Sequence, residues 1–152
     1  VYKKLTFKMK VLIVISTFLI MEFISWATHK YIMHGLLWFL HEDHHVVNKE
    51  NTFQKNDFFF LIFAIPSILL IFLGHSNFTY HFFIGIGIAL YGLAYFLIHE
   101  VIIHRRIPPP SKTNSAYIKA IRKAHKVHHK NRGKHNGVNF GMLIVPFKYF
   151  RE

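Results

Sequence analysis

Apolar residues in this chain fall in long unbroken runs, not in alternating or striped patterns. Residues 11–27, 58–73 and 82–98 are almost wholly apolar. About 20 apolar residues span the hydrocarbon core of a bilayer, so each run predicts a transmembrane helix. Pro66 predicts a kink in the second. Two further stretches, 35–40 and 138–147, are apolar but too short to cross. The first predicts an interfacial segment anchored by Trp38. Between the runs the chain turns polar. Residues 46–55 predict a loop, and Asn56-Asp57 a helix N-cap. Residues 74–81 predict a short uncharged turn, and Ile107-Pro108-Pro109-Pro110 a break. Ser115 or Asn114 predicts the start of a basic helix over residues 116–130. Gly85 and Gly87 follow no strand, so they predict close helix packing and not a nucleotide loop. The fold class is therefore all-α: an integral membrane protein of about three, at most four, transmembrane helices, with 1–152 as a single domain.

The start of the chain is open to a second reading. A basic N-terminus, an apolar run and Ser25-Trp26-Ala27 also fit a cleaved signal peptide. The run is long for that purpose, and a retained span is expected. Glu22 lies inside that span, where a carboxyl group is costly and marks function by default. It precedes His29 by seven residues, or two helical turns.

Histidine changes the picture. His29 and His34 form an H-x4-H box, and His41, His44 and His45 an H-x2-H-H box. His99 and His104 repeat the first, and His125, His128 and His129 the second. Ten of the thirteen histidines thus lie in two copies of one pattern. Neutral imidazole is the commonest metal ligand. On an α-helix, positions i, i+3 and i+4 share a face, so each H-x2-H-H trio offers several nitrogens to one small volume. Positions i and i+5 lie about 140° apart on a regular helix, which suits a two-metal cluster or a locally unwound helix end. A tetrahedral zinc takes four ligands, so ten histidines suit two ions. His75, His81 and His135 fall outside the pattern.

Composition narrows the chemistry. The chain has 152 residues, 52% hydrophobic, with 17 Phe and no Cys. The lack of Cys excludes disulfides, thiolate zinc sites, iron–sulfur clusters and thiolate haem ligation. The formal net charge is +12. With several apolar runs, that charge points to anionic lipid and not to nucleic acid. Twelve of the nineteen Lys and Arg follow His104. The positive-inside rule then places the C-terminus and all four boxes in the cytoplasm.

The order of the boxes, with His29 to Gly35, Asn56-Asp57, His99 to Arg105, Arg132-Gly133-Lys134 and Asn139-Phe140-Gly141, resembles the non-haem di-iron membrane hydroxylases and desaturases. It is most similar to the bacterial β-carotene 3-hydroxylases. The resemblance covers residues 20–146 and departs at His135 and Asn136. It implies two iron ions on the ten box histidines and O2 as co-substrate. It also implies hydroxylation of β-carotene at ring carbon 3, giving β-cryptoxanthin and then zeaxanthin. The chain shows no flavin, haem or nicotinamide site, so the electrons are expected from a ferredoxin-type donor with its reductase. The basic face of Arg105, Arg106, Lys119, Arg122, Lys123 and Lys126 would meet that donor or anionic headgroups. Glu22, Asn56 and Asp57 are expected to orient the ligands. The expected location is the bacterial inner membrane. Two alternatives stay open: a di-iron fatty acyl or sterol hydroxylase or desaturase, and a histidine-rich metal transporter.

Overall fold

Helix α1, Phe7–Ala27, leads without interruption into a π-helical segment, Thr28–Leu36, in a computed structural model that describes residues 4–46, 53–107 and 114–151. Helix α2, Trp38–His45, follows, and then a 3₁₀ turn, Lys55–Phe58. Helices α3, Phe59–Gly74, and α4, Tyr80–Phe96, come next, and α4 runs into a second π-helical segment, Leu97–Ile103. Helix α5, Ala116–Lys130, and a 3₁₀ turn, Phe147–Tyr149, end the described chain. There is no strand among the described residues. Most of the polar loop expected at 46–55 and the proline run lie outside them.

Three stretches are long and apolar enough to cross a membrane: Phe7–Leu36, Lys55–Gly74 and Tyr80–Ile103. These carry the three runs expected from the sequence. Pro66 sits inside α3.

The described residues group into two compact units. The first comprises Val1–Met21 and Phe59–Ala94. Its helices turn Leu12, Leu19, Phe60, Ile68 and Phe72 outward, each more than 60% exposed. Water would not tolerate so much apolar surface, whereas lipid does. Inside, small residues let the backbones approach. A Cβ at Gly87 would stand 2.6 Å from the Thr17 Cβ, and one at Gly85 2.8 Å from the Ser67 carbonyl. The Ser67 hydroxyl donates to the Gly85 carbonyl at 2.8 Å. These two glycines serve helix packing, as the sequence suggests.

The second unit comprises Glu22–Phe58 and Tyr95–Glu152. Here α5 starts where expected, with Ser115 accepting the Ile118 N–H. One of its faces buries Ala120, Ile121, Ala124, His125 and His128, while lysines line the other. Ala120 and Ala124 pack with Tyr149, beside Val127 and Val145. That contact holds the end of the chain on α5.

Candidate metal centre

All ten box histidines lie in the second unit, and they converge in two groups. His29, His34, His41, His45 and His128 place their ligand nitrogens within 4.8 Å of one another, and so do His44, His99, His104 and His125. In the first group Nε2 meets Nε2: His29 with His41 at 3.1 Å, His34 with His45 at 3.1 Å, His34 with His128 at 3.3 Å. In the second, the Nε2 atoms of His104 and His125 stand 2.9 Å apart.

The helix geometry explains the H-x4-H boxes. On a regular α-helix their two rings would diverge. Both boxes instead lie on π-helical segments, in which N–H bonds to the carbonyl five residues back. The Leu37 N–H reaches the Ile32 carbonyl at 2.8 Å, and the His104 N–H the His99 carbonyl at 2.9 Å. Positions i and i+5 then fall on one side, and the paired ring centroids are 5.3 Å apart for His29 and His34 and 4.5 Å for His99 and His104. The 140° separation is thereby corrected. Gly35, at φ −113° and ψ −110°, bends the chain out of the first π segment.

The H-x2-H-H trios depart from expectation in another way. Each trio divides between the two groups: His41 and His45 belong to one and His44 to the other, while His128 belongs to one and His125 to the other. His129 stands beside both, 4.5 Å from His125 and 4.6 Å from His45 between ring centroids.

Seven rings are fixed from outside. Nδ1–H donates from His29 to the Phe140 carbonyl, from His34 to Lys134, from His45 to Asn131 and from His128 to Val138, at 2.7–3.2 Å. His41 donates to Asn56 Oδ1 at 2.6 Å, His44 to Gln54 Oε1 at 3.0 Å and His99 to Glu100 Oε1 at 2.6 Å. A neutral imidazole has one N–H and one lone pair. With the proton spent outward on Nδ1, the Nε2 of each of these seven rings presents a lone pair inward. Lone pairs about 3 Å apart repel unless a cation lies among them. The Nε2 atoms of His44 and His129 are buried and have no hydrogen-bond partner among the described residues. This donor set fits metal ions, and outward Nδ1 bonds are what orient metal-bound imidazoles.

Burial keeps seven of the rings neutral. It lowers the His41 and His129 pKa to about 2, His104 and His128 to about 3 and His45 to about 4, and neighbouring imidazoles add to the effect. His44 and His125 move the same way for the same reasons. Lone pairs are therefore available at neutral pH without proton release.

Asn56 and Asp57, expected as a helix cap, lie in the 3₁₀ turn that precedes α3. Asn56 holds His41, and Asp57 accepts from the Gln54 N–H at 3.0 Å and from Arg106 at 2.8 and 3.0 Å. Arg106 also donates to Glu100 at 2.9 Å. It thus joins the outer layer of the site while remaining exposed. Trp38, read as an interfacial anchor, lies 5.0 Å from His34 and 5.4 Å from His45 between ring centroids. Glu22 is buried, and its Oε1 accepts the N–H groups of Met142, Leu143 and Ile144 at 2.9–3.0 Å. The segment it binds follows Phe140, whose carbonyl accepts the His29 Nδ1–H.

Gln54, Glu100, Asn131 and Phe140 were not singled out from the sequence for these roles. For Phe140 a signal existed. Asn139 has a φ of +58° and Asn136 of +64°, and asparagine is enriched in that left-handed region, so the loop has a prescribed path. Carbonyl acceptors leave no mark on residue identity.

Residues 14–149 match the family model described as fatty acid hydroxylase. The chain is 42% identical over 135 residues to a protein named beta-carotene hydroxylase from Pantoea ananas, covering 89% of this chain and 77% of that protein. It is 33% identical to another of that name from Paracoccus sp. (strain PC1), over 89% of this chain and 83% of that one. It is 36% identical to beta-carotene hydroxylase 2, chloroplastic, from Capsicum annuum, over 83% of this chain and 41% of that one. No solved structure matches. The boxes, the two buried histidine groups and a match over most of its length make this chain a member of the fatty acid hydroxylase family.

Proposed function

We propose that this chain is a carotenoid hydroxylase that converts carbon 3 of a β-ionone ring to an alcohol, taking β-carotene to β-cryptoxanthin and then to zeaxanthin. The observation that carries the reading is the pair of converging histidine groups, in a chain 42% identical to a beta-carotene hydroxylase. His29, His34, His41, His45 and His128 hold one iron, and His44, His99, His104 and His125 the other. His129 lies within reach of both. Two irons held there supply the activation of O2 that turns a ring C–H into C–OH, while two electrons and two protons carry the second oxygen atom to water.

The protein's own contributions are orientation and exclusion. Outward Nδ1 bonds hold seven of the ten rings in one tautomer, with Glu22, Asn56 and Asp57 among the groups that fix those bonds or the segments that make them. Burial of His41, His44, His99 and His128, each at most 2% exposed, keeps water from the ligand atoms. Phe140 packs edge-on against the rings of His29, His34 and His128 and adds an apolar wall. Electrons come from a separate ferredoxin-type donor with its reductase. The site faces the cytoplasm from the bacterial inner membrane, where the apolar substrate dissolves.

A transport reading would string ligands along a path through the spans, whereas all ten box histidines gather in one compact unit. The test is expression in a bacterial host that makes β-carotene, with pigments separated by chromatography. β-Cryptoxanthin and zeaxanthin should accumulate with the natural sequence and be lost with His44→Ala. Unchanged β-carotene beside newly hydroxylated fatty acids or sterols would refute the substrate.

A further inference from the structure

Outside the ligands themselves, one cation binds two carboxylates that stand behind the histidine groups. The Arg106 guanidinium grips Asp57 with two nitrogens, at 2.8 and 3.0 Å, and reaches Glu100 Oε2 at 2.9 Å. The other Glu100 oxygen receives the His99 Nδ1–H at 2.6 Å. Asp57 also holds the Gln54 N–H, and the Gln54 side chain receives the His44 Nδ1–H at 3.0 Å. Between them stands Asn56, which receives the His41 Nδ1–H. His44 and His99 belong to one group, and His41 to the other.

The backbone is built to deliver this contact. Arg105 holds φ at +55°, a left-handed conformation that a residue with a Cβ adopts at a cost. The turn carries the Arg106 N–H back to the Glu100 carbonyl at 2.9 Å. The guanidinium is 28% exposed on its side chain. A surface ion pair of that exposure contributes little to stability, so strain at Arg105 is poorly explained by folding alone.

We propose that Arg106 is a positioning residue for both metal groups: through Asp57 it fixes the turn that orients His41 and His44, and through Glu100 it fixes His99. This rests on the reading of those histidines as metal ligands. The planar fork of arginine matters, because two carboxylates must be met at once in fixed geometry. A lysine ammonium carries the charge without the fork.

The test is iron binding by the purified full-length protein in detergent, measured as metal per chain and as resistance to a competing chelator, with Mössbauer spectra of the loaded protein. Arg106→Gln should weaken retention by roughly tenfold or more, the usual cost of losing a partner behind a ligand. Signals of both irons should shift, since the network reaches both groups. Arg106→Lys should restore only a small part. Asp57→Asn should act in the same direction, and the double variant should add little to either single one. Lys148→Gln, which removes an exposed charge elsewhere, should retain iron like the natural sequence. If Arg106→Gln fails to accumulate, Arg106→Lys carries the same measurement. Retention and spectra unchanged in Arg106→Gln, or fully restored in Arg106→Lys, would overturn the proposal. Failure of the natural sequence itself to hold two irons would instead refute the metal reading on which it rests.

Discussion

At the scale of single residues, the case of Glu22 shows what sequence can and cannot say. A carboxyl group inside an apolar helix is costly unless its oxygens are engaged. That cost singles out Glu22 in the sequence, and the residue is buried, at 7% exposure. Its partners could not be read, because they are backbone N–H groups about 120 positions away. Glu22→Ala leaves three N–H groups without this acceptor. Leaving a buried donor unsatisfied costs about 1–3 kcal/mol. The Phe140 carbonyl should shift with the segment and loosen the His29 ring. We expect Glu22→Ala to lower both the melting temperature and iron retention, the latter roughly tenfold. Glu22→Gln, which keeps an oxygen in place, should lose much less. Unchanged iron content and melting in Glu22→Ala would reduce the residue to packing.

At the scale of elements, helix existence was legible and helix type was not. The spans announce themselves by apolar length. The register of α5 follows from its apolar face and its Ser115 cap. The π segments carry no compositional sign. Only the five-residue histidine interval hints at them, and on a regular helix that interval scatters the two rings. A π turn amounts to one extra residue in an α-helix. Deleting Ile32, which is 38% exposed, should return the first box to an i, i+4 pair that still shares a face. Inserting Ala after Ile32 should separate the rings. The deletion is therefore expected to keep more bound iron than the insertion, measured as metal per chain. Two irons per chain in the insertion variant would contradict the π geometry as the source of the pairing. The division of each H-x2-H-H trio was equally hidden, because sharing a helix face does not say which neighbour that face meets.

At the scale of the whole molecule, the spans and the charge distribution make a topological statement. With three crossings the two ends lie on opposite sides, and the Lys and Arg after His104 outweigh those at the N-terminus. A reporter fused after Glu152 should read cytoplasmic, and one inserted between Ser76 and Asn77 should read external. Cytoplasmic signals at both positions would mean that α3 and α4 do not cross. Family membership was legible because the boxes are dense and their spacing is specific. The layer of hydrogen bonds behind them was not, since it is assembled from residues far apart in the chain.

The division of the trios makes the two halves of the chain depend on each other. The first two boxes supply four members of one group, His29, His34, His41 and His45, and send the middle histidine of their trio, His44, to the other. The last two boxes supply His99, His104 and His125 to the second group and return their own middle histidine, His128. The repeat in the sequence is thus a reciprocal exchange in space, like two partners each lending the other one hand. A cut between the second and third boxes would leave neither half with all the histidines of either group. Each histidine group is assembled only when both halves of the chain fold together.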